Sequence, residues 1–254
     1  MVDETKCVSC LIEETGEYID ELKSCCIERM FSREYSWKAK HPFKVMSFVN
    51  SMTWRMFDMS SAALTLLKQD NIVPSLCLIR ACWENMVATY ELTNLIIVSC
   101  ENQLVDKYTG ETLQRMLFSN RYDRDNKYVG EEHFEQFKDY KAKNIITLVQ
   151  KIGMEFPHIK DVYATVCEFV HPNHDGVFGS YSYLDEPNHT VEFGPQFTQE
   201  SWLFPASVET LKCSIHLYLK FIISIEEHIE EFTQLCENFL ADKGEELSDN
   251  EAVN

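Results

Sequence analysis

Two histidines, an amide and a carboxylate stand together at residues 169–176, which we call the His box. An apolar helical pattern ends at His171, and Pro172 then turns the backbone out of helical geometry. Histidine titrates near neutral pH, so His171 or His174 could act as a general acid or base while Asn173 orients a substrate. The same residue types are also frequent in turns. The His box therefore predicts either a catalytic site or a structural turn.

The two interpretations assign different tasks to the end of the His box. In the catalytic interpretation, Asp175 orients the imidazole. In the structural interpretation, Asn173 and Asp175 make hydrogen bonds within the turn, and Gly176 adopts a positive φ. Both interpretations stay open at the level of sequence.

Metal ligands and cofactor motifs give a weaker signal. His171, His174, Asp175 and His189 are suitable ligand types, but they lack the usual metal-site spacing. The sequence contains no Gly-x-Ser-x-Gly, no phosphate-binding glycine-rich loop and no His-Glu-x-x-His. We therefore expect neither a metal nor a cofactor.

Arg80 and Glu84 form a second polar pair, one helical turn apart. In helical projection Arg80 falls between Leu76 and Val87, inside the apolar sector, so it should face protein and requires a partner. One interpretation is an internal ion pair that fixes helix packing. The other is an arginine that binds a phosphate or carboxylate, with His171 completing the pocket if the two side chains meet in space.

Helical periodicity dominates the elements that must position these residues. Apolar residues recur at steps of three and four, which indicates amphipathic helices. The predicted helical segments are 11–31, 45–66, a stretch from about Pro74, 134–152, a stretch from about 160 to His171, and 211–239. The polar stretch 119–130 predicts a loop.

Only one region has the period-two pattern of strands. Residues 180–184 and 190–193 alternate, and turn residues stand between them, which predicts a hairpin over about 177–197. The fold prediction is mostly all-α, a multi-helix bundle with one small β-hairpin insertion after the His box. We expect residues 1–243 to form a single helical domain and 244–254 to be an acidic disordered tail.

The charge balance restricts the partners. Lys and Arg number 23 against 41 Asp and Glu, giving a net charge of −18. This opposes unaided binding to a nucleic-acid backbone, which relies on clustered Lys and Arg. Residues 226–254 carry ten acidic residues and one lysine, so the body of the chain is less acidic and leaves room for a local basic pocket.

The ten cysteines are interpreted as free core thiols, because most lie beside Leu, Ile and Val in helical patterns. The N-terminal residues lack a signal-peptide pattern, and no stretch reaches the roughly 20 apolar residues of a membrane span. These features predict a cytoplasmic protein in a reducing compartment, with no membrane contact.

Two motifs carry a family resemblance. They are Arg-x-x-Trp-Glu at 80–84 and Tyr-x-x-x-Cys-Glu-Phe-Val-His-Pro-Asn at 163–173, the latter followed by a Gly/Tyr-rich hairpin. Together they resemble a bacterial all-helical family of unassigned function, over roughly residues 72–194. That family is similar in architecture to the HEPN superfamily, whose bundles often dimerise and many of whose members are RNA-cleaving toxins or defence effectors. The catalytic arginine of that superfamily, four to six residues before its histidine, is absent here.

The resemblance implies a stress- or phage-defence-type protein, homodimeric through a long apolar helix. Its candidate site consists of Arg80, Glu84, His171, Asn173 and His174, and would bind a nucleotide or RNA phosphate. If the protein is an enzyme, we expect a metal-independent ribonuclease-like activity, because such chemistry needs only an acid or base and a positive group on the phosphate.

Two rival functions remain open. The first is a non-enzymatic protein–protein interaction module, in which the acidic C-terminal helix contacts a basic partner. The second is an acidic nucleic-acid mimic that blocks a nucleic-acid-binding protein, although the charge is concentrated at one end of the chain.

Overall fold

A computed structural model describes residues 8–124 and 144–243, and most of these residues are helical. The helices are α1 (Val8–Ser24), α2 (Lys40–Lys68), α3 (Ile72–Glu101), α4 (Lys107–Arg124), α5 (Ile145–Glu155), α6 (His158–Val170) and α7 (Leu203–Lys243). A π-helical turn, His174–Phe178, leads into a short helical turn, Gly179–Tyr181, and then into strands β1 (Ser182–Asp185) and β2 (Thr190–Phe193). The predicted all-α fold with one hairpin after the His box is confirmed.

The apolar stripes predicted from the sequence form the buried faces of the long helices. On α2, Val45, Val49, Met56 and Ala63 are buried, at steps of three and four. Pro74 lies in the first turn of α3, where its missing N–H is not needed. Helix α7 has 41 residues and buries a continuous row. That row includes Leu211, Ile215, Tyr218, Ile222, Ile225, Phe232 and Cys236.

The described residues fall into two compact units. The first contains the described parts of Met1–Cys26, Thr53–Val87 and Val149–Leu219. In its core, the hydroxyls of Thr53 and Tyr218 are hydrogen-bonded at 2.8 Å, and burial raises the pKa of Tyr218. This bond satisfies a polar group that would be costly to bury alone.

The second unit contains the described parts of Ile27–Met52, Ala88–Leu148 and Lys220–Asn254. Its core includes the fully buried Val45, Leu92 and Phe232. The single domain expected over 1–243 stays a prediction.

Several predicted boundaries are wrong; helix α7, for example, begins at Leu203 rather than at 211. Helix α1 ends at Ser24 rather than near 31, because the backbone N–H and C=O of Ile27 bond to the side-chain amide of Asn50 at 2.9 and 2.7 Å. Helix α4 continues to Arg124, through the start of the predicted loop. That stretch is polar but contains no Gly or Pro, and polarity alone does not end a helix. The first strand begins at Ser182 because the residues before it form a helical turn.

The two strands form the predicted hairpin. Its register joins Ser182 to Phe193 and Leu184 to Val191. In the connecting turn, the carboxylate of Asp185 accepts a hydrogen bond from the side-chain amide of Asn188 at 2.6 Å.

Some predictions fall outside the described residues: the segment 134–143 of a predicted helix, the end of the predicted loop and the acidic tail after 243. Within the described ranges, no helix combines the length and the apolarity that crossing a membrane requires.

Candidate functional site

Helices α3 and α6 bring three polar side chains together. Arg80 and Glu84 project from one face of α3, with Nε of Arg80 3.1 Å from Oε1 of Glu84. Tyr163 of α6 donates its hydroxyl to the same Oε1 at 3.0 Å. The guanidinium carbon of Arg80 lies 5.9 Å from the centre of the Tyr163 ring. We call these residues the Arg80 cluster.

The Arg80 cluster is half-buried, and Arg80 and Tyr163 shift each other's pKa. The side chains of Arg80 and Glu84 are 26% and 31% exposed. Hydrogen bonding to Tyr163 raises the pKa of Arg80, so the guanidinium is held in its charged form. Burial, with a further contribution from Glu84, raises the pKa of Tyr163 to about 12, so its hydroxyl stays protonated. The cluster therefore contains a permanent cation and a hydroxyl that acts as a donor.

One donor of the cluster is not fully satisfied. The Nε–H of Arg80 is buried and has no well-aligned acceptor, although Glu84 stands at ion-pair distance. A guanidinium has five N–H donors in a planar fork, and Glu84 engages this group by charge more than by a directed hydrogen bond. A carboxylate or phosphate oxygen in the plane of the fork would improve this arrangement.

The His box forms a closed turn at the end of α6. His171 follows the last helical residue with extended backbone (φ −80°, ψ 149°). The Asn173 side chain accepts a hydrogen bond from the backbone N–H of Gly176 at 2.9 Å and donates one to Glu168. Nδ1 of His174 lies 3.0 Å from the Asp175 carboxylate. The amide and the carboxylate of this turn thus have partners within the turn or on the preceding helix.

Gly176 is required for a different reason from the one predicted. Among the described residues, positive φ values are found at Asp70, Gln103, His189 and Gly194, and not at Gly176. A Cβ at Gly176 would collide with the carbonyl oxygen of His171 and would lie 2.9 Å from that of Phe169. The turn thus needs glycine because the backbone passes close to the end of α6, as glycine alone permits.

The five predicted site residues lie in two groups. Arg80 and Glu84 belong to the Arg80 cluster, whereas His171, Asn173 and His174 belong to the turn. Tyr163 precedes His171 by eight residues, which is about 12 Å along a helix axis at 1.5 Å per residue. No hydrogen bond or ion pair between described residues joins the two groups.

Two partners of the predicted residues were missed at the level of sequence. Tyr163 lies on the buried stripe of α6 with Ile159, Val166 and Phe169. A buried tyrosine hydroxyl requires a hydrogen-bonding partner, and this requirement could have predicted that Tyr163 contacts a polar residue such as Glu84. Glu168, the partner of Asn173, lies five residues earlier across the helix end, a spacing that depends on the shape of the turn.

Apolar side chains are uncovered on the hairpin beside the turn. Leu184, Val191 and Phe193 share one face of the two-stranded sheet and are 49%, 39% and 82% exposed. We call this face the hairpin surface. Val177, Phe178, Tyr181 and Trp202 on the neighbouring segments are exposed as well, and Tyr183 is exposed on the opposite face of the sheet.

The segment that carries the hairpin surface has a uniform charge. Residues 161–211 contain eight acidic residues and neither Lys nor Arg. Glu168, Asp175, Glu186, Glu192 and Glu200 are exposed. The His box thus lies in an acidic segment, which repels a phosphate group.

The described cysteines are free thiols. Burial raises the pKa of Cys82 and Cys236 to about 12 and that of Cys100 to about 11. These three thiols are protonated at neutral pH, so they pack as small apolar groups rather than act as nucleophiles. Within residues 8–124 and 144–243, no three His, Cys, Asp or Glu side chains gather as metal ligands.

Comparison with protein-family models, with curated proteins and with solved structures gives no match to this chain. The resemblance to a HEPN-like bacterial family therefore stays a prediction that depends on the two motifs alone.

Proposed function

We propose that this chain is a non-enzymatic protein-interaction module, and that its hairpin surface docks a partner protein with an apolar patch bordered by Lys and Arg. The observation that carries the proposal is the uncovered apolar face formed by Leu184, Val191 and Phe193. Exposed apolar patches on folded proteins commonly mark interaction sites. A two-stranded sheet is also marginal by itself in water, so a partner on this face would stabilise it.

The surrounding charge determines the kind of partner. The segment 161–211 carries eight carboxylates and no Lys or Arg. A basic border on the partner is complementary to this field, whereas a second copy of the same surface would place carboxylates against carboxylates. We therefore propose that this surface binds a different protein with a basic border, and not a second copy of the same chain. This differs from the interaction predicted at the acidic C-terminal helix, because the apolar contact lies on the hairpin.

The experiment places a photo-crosslinking amino acid at Phe193 and, in a separate variant, at Ile223. Ile223 is the matched control because it is 47% exposed on α7, outside the hairpin surface. We expect a discrete protein adduct from position 193 and none from position 223. The crosslinked peptide of the partner should carry Lys or Arg beside apolar residues.

Two further variants sharpen this experiment. Leu184→Asp should abolish the adduct, because it places a charge at the centre of the apolar face, whereas Glu192→Gln should only weaken it. An adduct from position 223 alone would move the interaction to the acidic C-terminal helix. An acidic partner peptide, or no adduct from either position, would refute the proposal for the hairpin.

A second candidate function is binding of a nucleotide or RNA phosphate at Arg80, as expected of a HEPN-like defence protein. Its support is the partly exposed guanidinium with a buried Nε–H that lacks an aligned acceptor. The separation of about 12 Å along α6 between Tyr163 and His171 counts against joint action of Arg80 and His171.

Purified protein incubated with RNA tests this second candidate. A metal-independent ribonuclease should cleave RNA in the presence of a chelator and lose activity in both Arg80→Ala and His171→Ala. Loss in Arg80→Ala alone would restrict the site to phosphate binding by the Arg80 cluster. Cleavage that survives both substitutions would exclude these residues as the site.

A further inference from the structure

A cavity of about 230 Å³ lies where the start of α4 meets the end of α7 and the start of α2. We call it the His41 pocket. Its walls are mostly apolar and come from Val105, Leu113, Phe232, Phe239 and Leu240. An apolar cavity of roughly 150 Å³ is enough to hold benzene, so this space accommodates a slightly larger ring system.

One side of the His41 pocket is polar. His41 is partly buried in the wall, and neither of its ring nitrogens is hydrogen-bonded to any residue that the structure describes. Burial and the nearby Lys44 lower the pKa of His41, so the imidazole is neutral at physiological pH. A neutral imidazole presents one donor and one acceptor to whatever occupies the pocket.

Gly110 on α4 keeps the space in front of His41 open. A Cβ at Gly110 would lie 3.7 Å from Nε2 of His41, so the glycine faces the imidazole. Glycine lowers helix stability relative to alanine, and here it lines the cavity instead of a side chain. A larger residue at this position would occupy the space beside the imidazole.

The charged groups at the rim restrict the charge of the occupant. Hydrogen bonds from Thr109, at 2.9 Å from its backbone N–H, lower the pKa of Asp106 and keep it ionised. Lys107 is paired with Glu111 at 3.6 Å. Because Lys107 is paired with Glu111, the carboxylate of Asp106 leaves the rim with a negative charge, which would repel an anionic molecule.

We propose that the His41 pocket binds a small neutral aromatic molecule with one hydrogen-bond donor, the ring lying against the apolar wall and the donor directed at His41. The donor requirement follows from the imidazole, which has an accepting nitrogen without a partner. The aromatic body follows from the size and apolar lining of the cavity. This site lies in the second unit and is independent of the proposed partner interaction.

A matched pair of probes tests the proposal. Indole and indene have nearly the same shape, but only indole carries an N–H donor. An NMR chemical-shift titration of the intact protein should show saturable binding of indole, with the signal of Gly110 among those that shift. Indene should bind about fivefold more weakly, which is the usual value of one net hydrogen bond. Benzoate should not compete with indole.

Variants of the pocket separate its two features. His41→Phe should remove the preference for indole, and His41→Gln, which keeps an accepting atom, should restore part of it. Gly110→Leu should abolish binding of both probes. Gly16→Leu is the matched control for glycine replacement in a helix, because no atom lies within 4 Å of a Cβ at that position.

Three results would overturn the proposal. The first is no saturable shift with either probe. The second is equal affinity for indole and indene in the wild-type protein, which would leave an apolar cavity without the donor requirement. The third is binding that survives Gly110→Leu, which would place the probes elsewhere. Unchanged amide spectra of Gly16→Leu and His41→Gln verify that the variants are folded.

Discussion

The turn of the His box and the hairpin that follows it are neighbours in the chain, but they differ in how far the interactions of their side chains are satisfied within the protein. In the turn, polar side chains bond to residues nearby in the chain: Asn173 bonds to Gly176 and Glu168, and His174 pairs with Asp175. In the hairpin, the apolar groups are left uncovered, with Phe193 82% exposed. The side chains of Asn173, His174 and Asp175 thus have partners within or next to the turn, whereas the apolar side chains of the hairpin surface are exposed to water.

This contrast changes which residues point to function. A polar side chain that is already hydrogen-bonded within its own turn has few donors or acceptors available for a ligand. An exposed aromatic side chain gains free energy when a partner removes it from water, roughly 25 cal/mol for each Å² buried. The hairpin surface, whose apolar side chains are exposed to water, is therefore a better candidate for binding than the turn.

The largest expected effect is on the turn. Gly176→Ala should lower the free energy of unfolding by about 2–3 kcal/mol, because the added Cβ collides with the carbonyl of His171. Urea denaturation measures this change. Gly16→Ala is the control and should raise the free energy of unfolding by about 0.5–1 kcal/mol, since that helical position is open. Equal behaviour of the two variants would show that the close approach at Gly176 is not needed.

A smaller effect is expected within the same turn. Asn173→Ala removes the acceptor for the Gly176 N–H and should cost about 1 kcal/mol of unfolding free energy. His174→Ala is the comparison, because its side chain is 78% exposed and its loss should change stability by less than about 0.5 kcal/mol. If His174→Ala were the more destabilising variant, the turn would depend on the histidine rather than on the amide.

The smallest effect on stability is expected in the hairpin. Phe193→Ser should change the unfolding free energy by less than about 0.5 kcal/mol, because the side chain is already in water. The same substitution should reduce crosslinking to the partner from Ser182, the position that pairs with Phe193 across the hairpin. A large loss of stability without any change in crosslinking would make the hairpin a structural element, like the turn.

The sequence predicted the elements better than it predicted the site. Stripes at steps of three and four located the long helices, since burying an apolar face is what stabilises them. The end of α1 at Ser24 was not predictable, because a contact between Ile27 and Asn50 sets it, across 23 residues of sequence. Likewise, the pairing of Arg80 with Glu84 follows from helical spacing, whereas its bond network with Tyr163 depends on the packing of two helices.

The His box illustrates the same limit at close range. That Pro172 ends a helix and that Asn173 caps the turn follow from residue type. The role of Gly176 does not, because glycine permits both a positive φ and a close backbone approach, and only coordinates distinguish the two. The His41 pocket was missed altogether, since its residues are far apart in sequence and share no motif.

The run of eight carboxylates without a Lys or Arg in residues 161–211 has a kinetic consequence. Such a field accelerates diffusional encounter with a basic partner, by about tenfold or more at low ionic strength. The lifetime of the complex would instead depend on the apolar contacts of the hairpin. Adding salt should therefore slow association steeply while leaving dissociation nearly unchanged, so partner exchange would be governed by the ionic strength around the protein.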